Sequence, residues 1–193
     1  MAYQRPTPTA AELRQGANDL LCEVLMLSNT GALLEDDSQW NTGWGWQSKT
    51  LYMALVEAFL THARSLMDFV CPPSDYETRP VHERGIFAAD FCGKPWKPQP
   101  WPTLRQEHKQ ISTEIEHLSF DRPLVGRDWP YAEVRNKLRD MLMAFADEAD
   151  QLSADIKDQL RGVLVRGVRV RVADTVSVSG ATTGMIDPAQ VEQ

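Results

Sequence analysis

The sequence predicts a mainly α protein, a four-helix-type bundle with a long Pro/Trp-rich loop and a flexible C-terminal tail. Three observations carry that prediction. Apolar residues recur at helical spacing in four separate stretches; seven of the twelve prolines gather between Pro72 and Pro102; and the residues after Gly162 abandon the helical period.

Residues 1–8 are polar, include Pro6 and Pro8, and are expected to be loose. A first helix then opens on a capping box, in which Thr9 caps the helix and Glu12, three residues on, reaches back. Leu13, Ala17, Leu20, Leu21, Val24 and Leu27 follow at helical spacing, and the stretch "SNTG", Ser28 to Gly31, is expected to stop the run. The next segment carries Trp40, Trp44 and Trp46. Large aromatic rings are costly to leave in water, so at least some of these should lie against the bundle. A second helix is expected from about Ser48, as cap, to Val70, with Pro72-Pro73 as its stop.

The connection from Pro72 to Pro102 is long for a loop within one domain, and loops of that length are usually functional or disordered. Phe87, Phe91, Trp96 and Trp101 favour an ordered loop packed over the helices. Pro95 and Pro98 match the spacing of a polyproline ligand, a match that arises easily by chance. Thr103 and Gln106 suggest a second capping box and a third helix to about Ser119, with Leu104, Ile111, Ile115 and Leu118 as its apolar stripe. Asp128-Trp129-Pro130 is a favourable start for a fourth helix, because proline is tolerated in the first turn. Its apolar residues run from Tyr131 through Val134, Leu138, Met141 and Phe145 to Leu160, ending near Gly162. At about 1.5 Å per residue that helix is about 48 Å long, so its far end should project beyond the bundle or pair with a second copy. "VLVRGVRVRV", from Val163, alternates Val with Arg and reads as a strand with a basic face. Composition from Gly180 onward favours disorder. The expected organisation is a flexible N-terminus at 1–8, a helical bundle domain at 9–162, and a Val/Arg segment with a tail at 163–193.

Composition excludes several function classes. The chain has 193 residues, 42% of them hydrophobic, enough for one domain with a real core. A net charge of -7 argues against a protein built mainly to coat nucleic acid, which leans on excess Lys and Arg. Cys22, Cys71 and Cys92 are odd in number and far apart, the pattern of free thiols in a reducing compartment. The start "MAYQRPTPTAAELRQ" lacks the basic end and apolar run of a signal peptide, and no stretch reaches the length of a membrane span. The expectation is a soluble, cytoplasmic protein that does not associate with membranes.

The stretch richest in chemistry is "EAFLTHARSLMDF", Glu57 to Phe69. On a helix, Glu57, Thr61, Arg64 and Asp68 share one side, opposite a stripe of Leu55, Phe59, Ala63, Leu66 and Val70. The plainest reading makes Arg64 and Asp68 an i,i+4 ion pair on a solvated face; the sharper ones make the stripe a buried ionic network or a site. His62 sits at the edge of the apolar stripe, where a lone histidine is more often a satisfied core residue than a ligand. Glu114 and His117 form one Glu-x-x-His, but a di-iron bundle needs two such pairs and two further Glu, so no metal and no cofactor is expected. His108 shares the face of Leu104, Ile111 and Ile115, whereas His117 points elsewhere. Phosphate-binding, dinucleotide, serine-hydrolase and zinc-protease motifs are all missing.

"ALVEAFLTHARSLMDF", the later "ADF", a Trp-bearing loop and "IEHLSFDR" together resemble a widespread group of uncharacterised bacterial helical-bundle proteins. That group carries Glu-x-Phe-Leu-x-His-x-Arg-x-Leu-x-Asp-Phe, then Asp-Phe, then His-Leu-Thr/Ser-x-x-Arg. The matching positions include Glu57, His62, Arg64, Asp68, Asp90, His117 and Arg122, across roughly residues 50–145. The group brings no established activity. Its small bundle invites comparison with the HEPN superfamily, many of whose members are RNases of defence and toxin systems with Arg four to six residues ahead of a catalytic His. No histidine here has an arginine at that spacing; Arg105 and His108 come nearest.

The resemblance implies that His62, Arg64, Asp68, His117 and Arg122 converge near the "AADF" loop, with Asp68 or Asp90 neutralising Arg64 or Arg122 and one imidazole bonded to a carboxylate. Those five residues are the catalytic candidates, while Glu57, Asp90, Trp96 and Trp101 are candidates for a structural network or a binding surface. The leading functional expectation is a non-enzymatic interaction or regulatory domain, with a protein partner or a homodimer formed through the long fourth helix. The alternative is a HEPN-like protein that processes RNA, and a further alternative is a small-ligand sensor beneath the Trp-rich loop, marked by an enclosed apolar pocket beside Trp96 or Trp101.

Overall fold

The computed structural model describes residues 4–36, 46–72, 77, 85–93, 96, 108–109, 111–112 and 130–166. Within these the protein is mainly helical: α1 spans Ala10–Glu35, α2 Trp46–Val70, α3 Tyr131–Glu148 and α4 Ala154–Arg166, with a 3-10 turn at Ala88–Phe91. No strand occurs among the described residues. No helix among them is long and apolar enough to cross a membrane.

α1 begins where its capping box places it. Thr9 Oγ1 accepts from the Glu12 amide at 3.3 Å, and the Glu12 carboxylate takes the Thr9 amide at 2.7 Å. Those bonds from Thr9, backbone first and hydroxyl second, hold the Glu12 carboxyl below the usual glutamate range. The helix does not stop at Ser28–Gly31 but continues one turn further to Glu35. Thr30 Oγ1 is absorbed by its own helix, donating to the Met26 carbonyl at 2.7 Å. Gly31 is there for a close approach: a Cβ at this position would lie 3.0 Å from Phe59 Cε2 on α2 and 3.5 Å from Arg135 Cδ on α3. Glu23 of α1 lies beside His62 of α2 and Gly31 beside Phe59, so the two helices run antiparallel.

Gly31 yields a test of sign. Phe59 is fully buried and its ring is set edge-on to Tyr131 at 5.1 Å, so it has little freedom to yield. Gly31→Ala gains up to about 1 kcal/mol of helix propensity but forces an overpacking cost of about 1–3 kcal/mol, and a net destabilisation is expected. Gly162, inside α4, has nothing within 4 Å of its would-be Cβ. Gly162→Ala should therefore stabilise by about 0.5–1 kcal/mol. Urea midpoints of the two variants moving the same way would contradict this account.

α2 starts at Trp46, two residues ahead of the expected Ser48 cap, and stops at Val70 before Pro72 as expected. Trp46 is 75% exposed and does not lie against the bundle, while Trp40 and Trp44 lie outside the described residues. The core is formed by Leu20, Val24 and Leu27 of α1, Phe59, Leu66 and Val70 of α2, Val134, Leu138 and Leu142 of α3, and Leu160 of α4. One aromatic cluster closes its lower end: Phe145 meets Phe69 at 5.1 Å, Phe91 at 5.8 Å and Trp96 at 5.8 Å.

The expected 32-residue fourth helix is two helices. α3 ends at Glu148, Ala149 leaves helical geometry at ψ 87°, and α4 restarts at Ala154. The break is imposed from outside. The Gln151 amide, which a continuous helix would spend on its own turn, donates instead to the Phe91 carbonyl at 2.9 Å. Ser153 Oγ then accepts from the Ile156 amide at 3.4 Å, and Arg161 reaches back to Asp147 at 2.7 Å to brace the corner. α4 folds against α1 instead of projecting, which removes the overhanging surface on which pairing through a long fourth helix was based. α4 also carries Val163 to Arg166, read from sequence as the start of a strand. Leu160 and Leu164 are both buried, an i,i+4 pair that favours helix over the Val/Arg alternation. The remainder of the Val/Arg segment and most of the third expected helix lie outside the described residues, although 108–109 and 111–112 are helical.

Candidate functional site

α2 carries the candidates on two different faces, each turned to its own neighbour. Two residues apart on a helix are about 200° apart, so His62 and Arg64 cannot share a partner surface. His62 faces α1, where its Nδ1 donates to Glu23 Oε2 at 2.8 Å, and the histidine side chain is 19% exposed. An ionised carboxylate has only acceptors, so this bond fixes the Nδ1–H and leaves Nε2 for a second contact.

Asp68 forms the other cluster. Its Oδ1 accepts from His108 Nε2 at 2.8 Å, and its Oδ2 lies 3.8 Å from Arg64 Nε. The first contact is a hydrogen bond; the second is an ion pair too long to be one. Thus the predicted i,i+4 pair is present, and His108, which the sequence placed on an apolar stripe, completes it. The signal for His108 was that stripe itself: Ile111, three residues on and fully buried, turns the same face of its helix toward the bundle. Arg64, Asp68 and His108 are each about one third exposed. Their chemistry is an imidazole oriented by a carboxylate with a guanidinium beside it, the elements of proton transfer next to an anion. Thr61, between the charges, spends its hydroxyl on the Glu57 carbonyl at 2.8 Å, and Glu57 itself is exposed.

Of the two carboxylates that the resemblance set against Arg64 or Arg122, Asp68 lies beside Arg64 and Asp90 is bound by Arg5, while Arg122 lies outside the described residues. The Arg5 guanidinium is bidentate on the Asp90 carboxylate, Nη1 to Oδ1 at 2.8 Å and Nη2 to Oδ2 at 2.7 Å. Arg5 also donates to the Gly85 carbonyl and lies 5.1 Å from the Phe87 ring centre. The two side chains are 6% and 9% exposed, making this the most deeply buried ion pair among the described residues. The expected loose N-terminus is therefore tied down at residue 5. Sequence inspection missed Arg5 because nothing local distinguishes it from any other arginine in a proline-flanked polar start.

Trp96 acts as a clamp. Its indole Nε1 donates to the Val70 carbonyl at 2.8 Å, satisfying an orphan group at the C-terminal end of α2. Beside it lies a cleft of about 450 Å³ between the N-terminal segment and the 3-10 turn, with Arg5, Thr7, Glu77, Asp90 and Cys92 in its walls. The walls combine the charged Arg5, Glu77 and Asp90 with the apolar Pro6, Ala89 and Trp96. His117, Arg122 and Trp101 lie outside the described residues, and so does the convergence expected of His117 and Arg122 with Arg64. Among the described residues no group of three or more His, Cys, Asp or Glu is placed to hold a metal ion. Cys22, Cys71 and Cys92 are free thiols.

Compared with protein-family models, with curated proteins and with solved structures, the chain has no match.

Proposed function

We propose that this chain is a cytoplasmic, non-enzymatic interaction or regulatory domain. One observation carries the reading: the candidate charges among the described residues serve as ties between segments. His62 is bonded to Glu23, Asp68 to His108 and Arg5 to Asp90, so that α1 is tied to α2, α2 to His108 and the N-terminal segment to the 3-10 turn. The two partly exposed histidine pairs are worth about 0.2–1 kcal/mol each, and the buried Arg5–Asp90 pair is the stronger tie.

The arrangement of Asp68, His108 and Arg64 favours a second reading, a HEPN-like RNA-processing protein in which His108 Nδ1 moves a proton and Arg64 holds a phosphate. An RNA degradation assay separates the two. On the interaction reading the wild type leaves single-stranded RNA intact, and His62→Ala and His108→Ala each lower stability by about 0.2–1 kcal/mol. Degradation by the wild type that is lost in His108→Ala and Arg64→Ala at unchanged melting temperature would replace the interaction reading by the nuclease one.

A further inference from the structure

The contacts of Arg5 come from one short turn whose own hydrogen bonds hold its parts in place. Phe87 donates its amide to Asp90 Oδ2 at 2.8 Å, the Asp90 amide returns to the Phe87 carbonyl at 2.9 Å, and together they aim the carboxylate. Ala88 and Phe91 are fully buried and root the turn in the core, and the Phe91 carbonyl is held by Gln151. Both carboxylate oxygens, the Gly85 carbonyl and the face of Phe87 then converge on a single planar cation. A guanidinium uses all of these at once, whereas an ammonium is a point charge that cannot span the fork.

The segment that fills this site is residues 4–8. Gln4-Arg5-Pro6-Thr7-Pro8 form one wall of the cleft of about 450 Å³. Pro6 and Pro8 carry no amide hydrogen, and the Arg5 amide bonds outward, to the Glu77 carbonyl at 2.9 Å. One residue is the anchor, and two prolines limit the entropy the segment regains on release.

We propose that Gly85 to Asp90 form an arginine socket for an Arg-Pro-x-Pro segment, filled in cis by residues 4–8 and open to the same segment of a second copy by exchange. This goes beyond the interaction reading, whose ties include Arg5 with Asp90; the peptide titration tests the socket and the RNA assay tests that reading, so either can fail without the other.

The test uses full-length chain with Arg5→Ala, with Arg5→Lys as a second variant that keeps a cation beside Asp90. A fluorescently labelled peptide of residues 1–9 is titrated against each and followed by anisotropy. Arg5→Ala should bind it and the wild type, already occupied, should not at the same concentration; a peptide with Lys in place of the arginine should bind about tenfold more weakly or worse. Equimolar Arg5→Ala and Asp90→Asn chains, one with an empty socket and one with a spare arginine, should form a one-to-one complex by light scattering that neither forms by itself. A folded variant that ignores the peptide, or takes the arginine and lysine peptides equally, overturns the socket. Peptide binding without the mixed complex overturns exchange between copies. Failure of both Arg5 variants to fold also overturns the proposal, because a segment that exchanges must leave a folded domain behind.

Discussion

Phe145→Ala is expected to destabilise the protein by about 3–5 kcal/mol, the range for deleting a buried phenyl ring. Phe145 is fully buried and stands where three segments meet: Phe69 from α2, Phe91 from the 3-10 turn and Trp96 from the loop all contact its ring. The neighbours cannot collapse into the void independently. Phe91 is held by the Gln151 amide through its carbonyl, and Trp96 by its indole bond to Val70, so the cavity should stay open and the loss should fall at the upper end. For a chain of this size that loss lowers the melting temperature by about 6–20 °C. Phe145→Leu keeps much of the volume and forfeits the edge-on ring contacts, worth about 0.5–1.5 kcal/mol per aromatic pair. Circular dichroism melts of the two variants check the account, which fails if Phe145→Ala costs less than about 1.5 kcal/mol.

How far the sequence could be read depends on where each determinant lies along the chain. The start of α1 was legible because Thr9 and Glu12 are three residues apart and make their bonds to each other. The end of α1 was not, because Gly31 looks like a stop and is in fact the contact point for Phe59, a residue 28 positions away. The same limit applies to the break after Glu148. The apolar period continues through Leu152 and Ile156, and what interrupts the helix is the carbonyl of Phe91, in a loop 60 residues upstream. Charge pairs follow the same rule. Arg64 and Asp68 are four residues apart and could be paired by inspection, whereas Glu23 with His62 and Arg5 with Asp90 required the fold itself. Asp90 was identified as a candidate through its motif resemblance, yet its partner came from a segment that composition marked as loose.

Arg5 and Asp90 supply the other large effect, and its sign depends on how the pair is broken. Asp90→Ala leaves a guanidinium that is 6% exposed without its counter-ion and removes the acceptor of the Phe87 amide. A buried charge stripped of its partner typically costs about 3–5 kcal/mol, so that loss is expected from Asp90→Ala. Arg5→Ala should lose a similar or slightly smaller amount, because the Asp90 carboxylate is then the buried charge, with the Phe87 amide still donating to it. Removing both is a different experiment. With neither charge present no ion remains to be desolvated, and the double variant Arg5→Ala with Asp90→Ala should lose far less than the two single losses added together. The coupling read from the full double-mutant cycle should reach about 2–3 kcal/mol, the upper range for residues in direct contact. Strictly additive losses would mean that the two residues act separately, Arg5 through Gly85 and Phe87 and Asp90 through its own turn. Coupling of the expected size would instead make the ion pair the fastening by which the first residues of the chain are joined to the turn between α2 and α3.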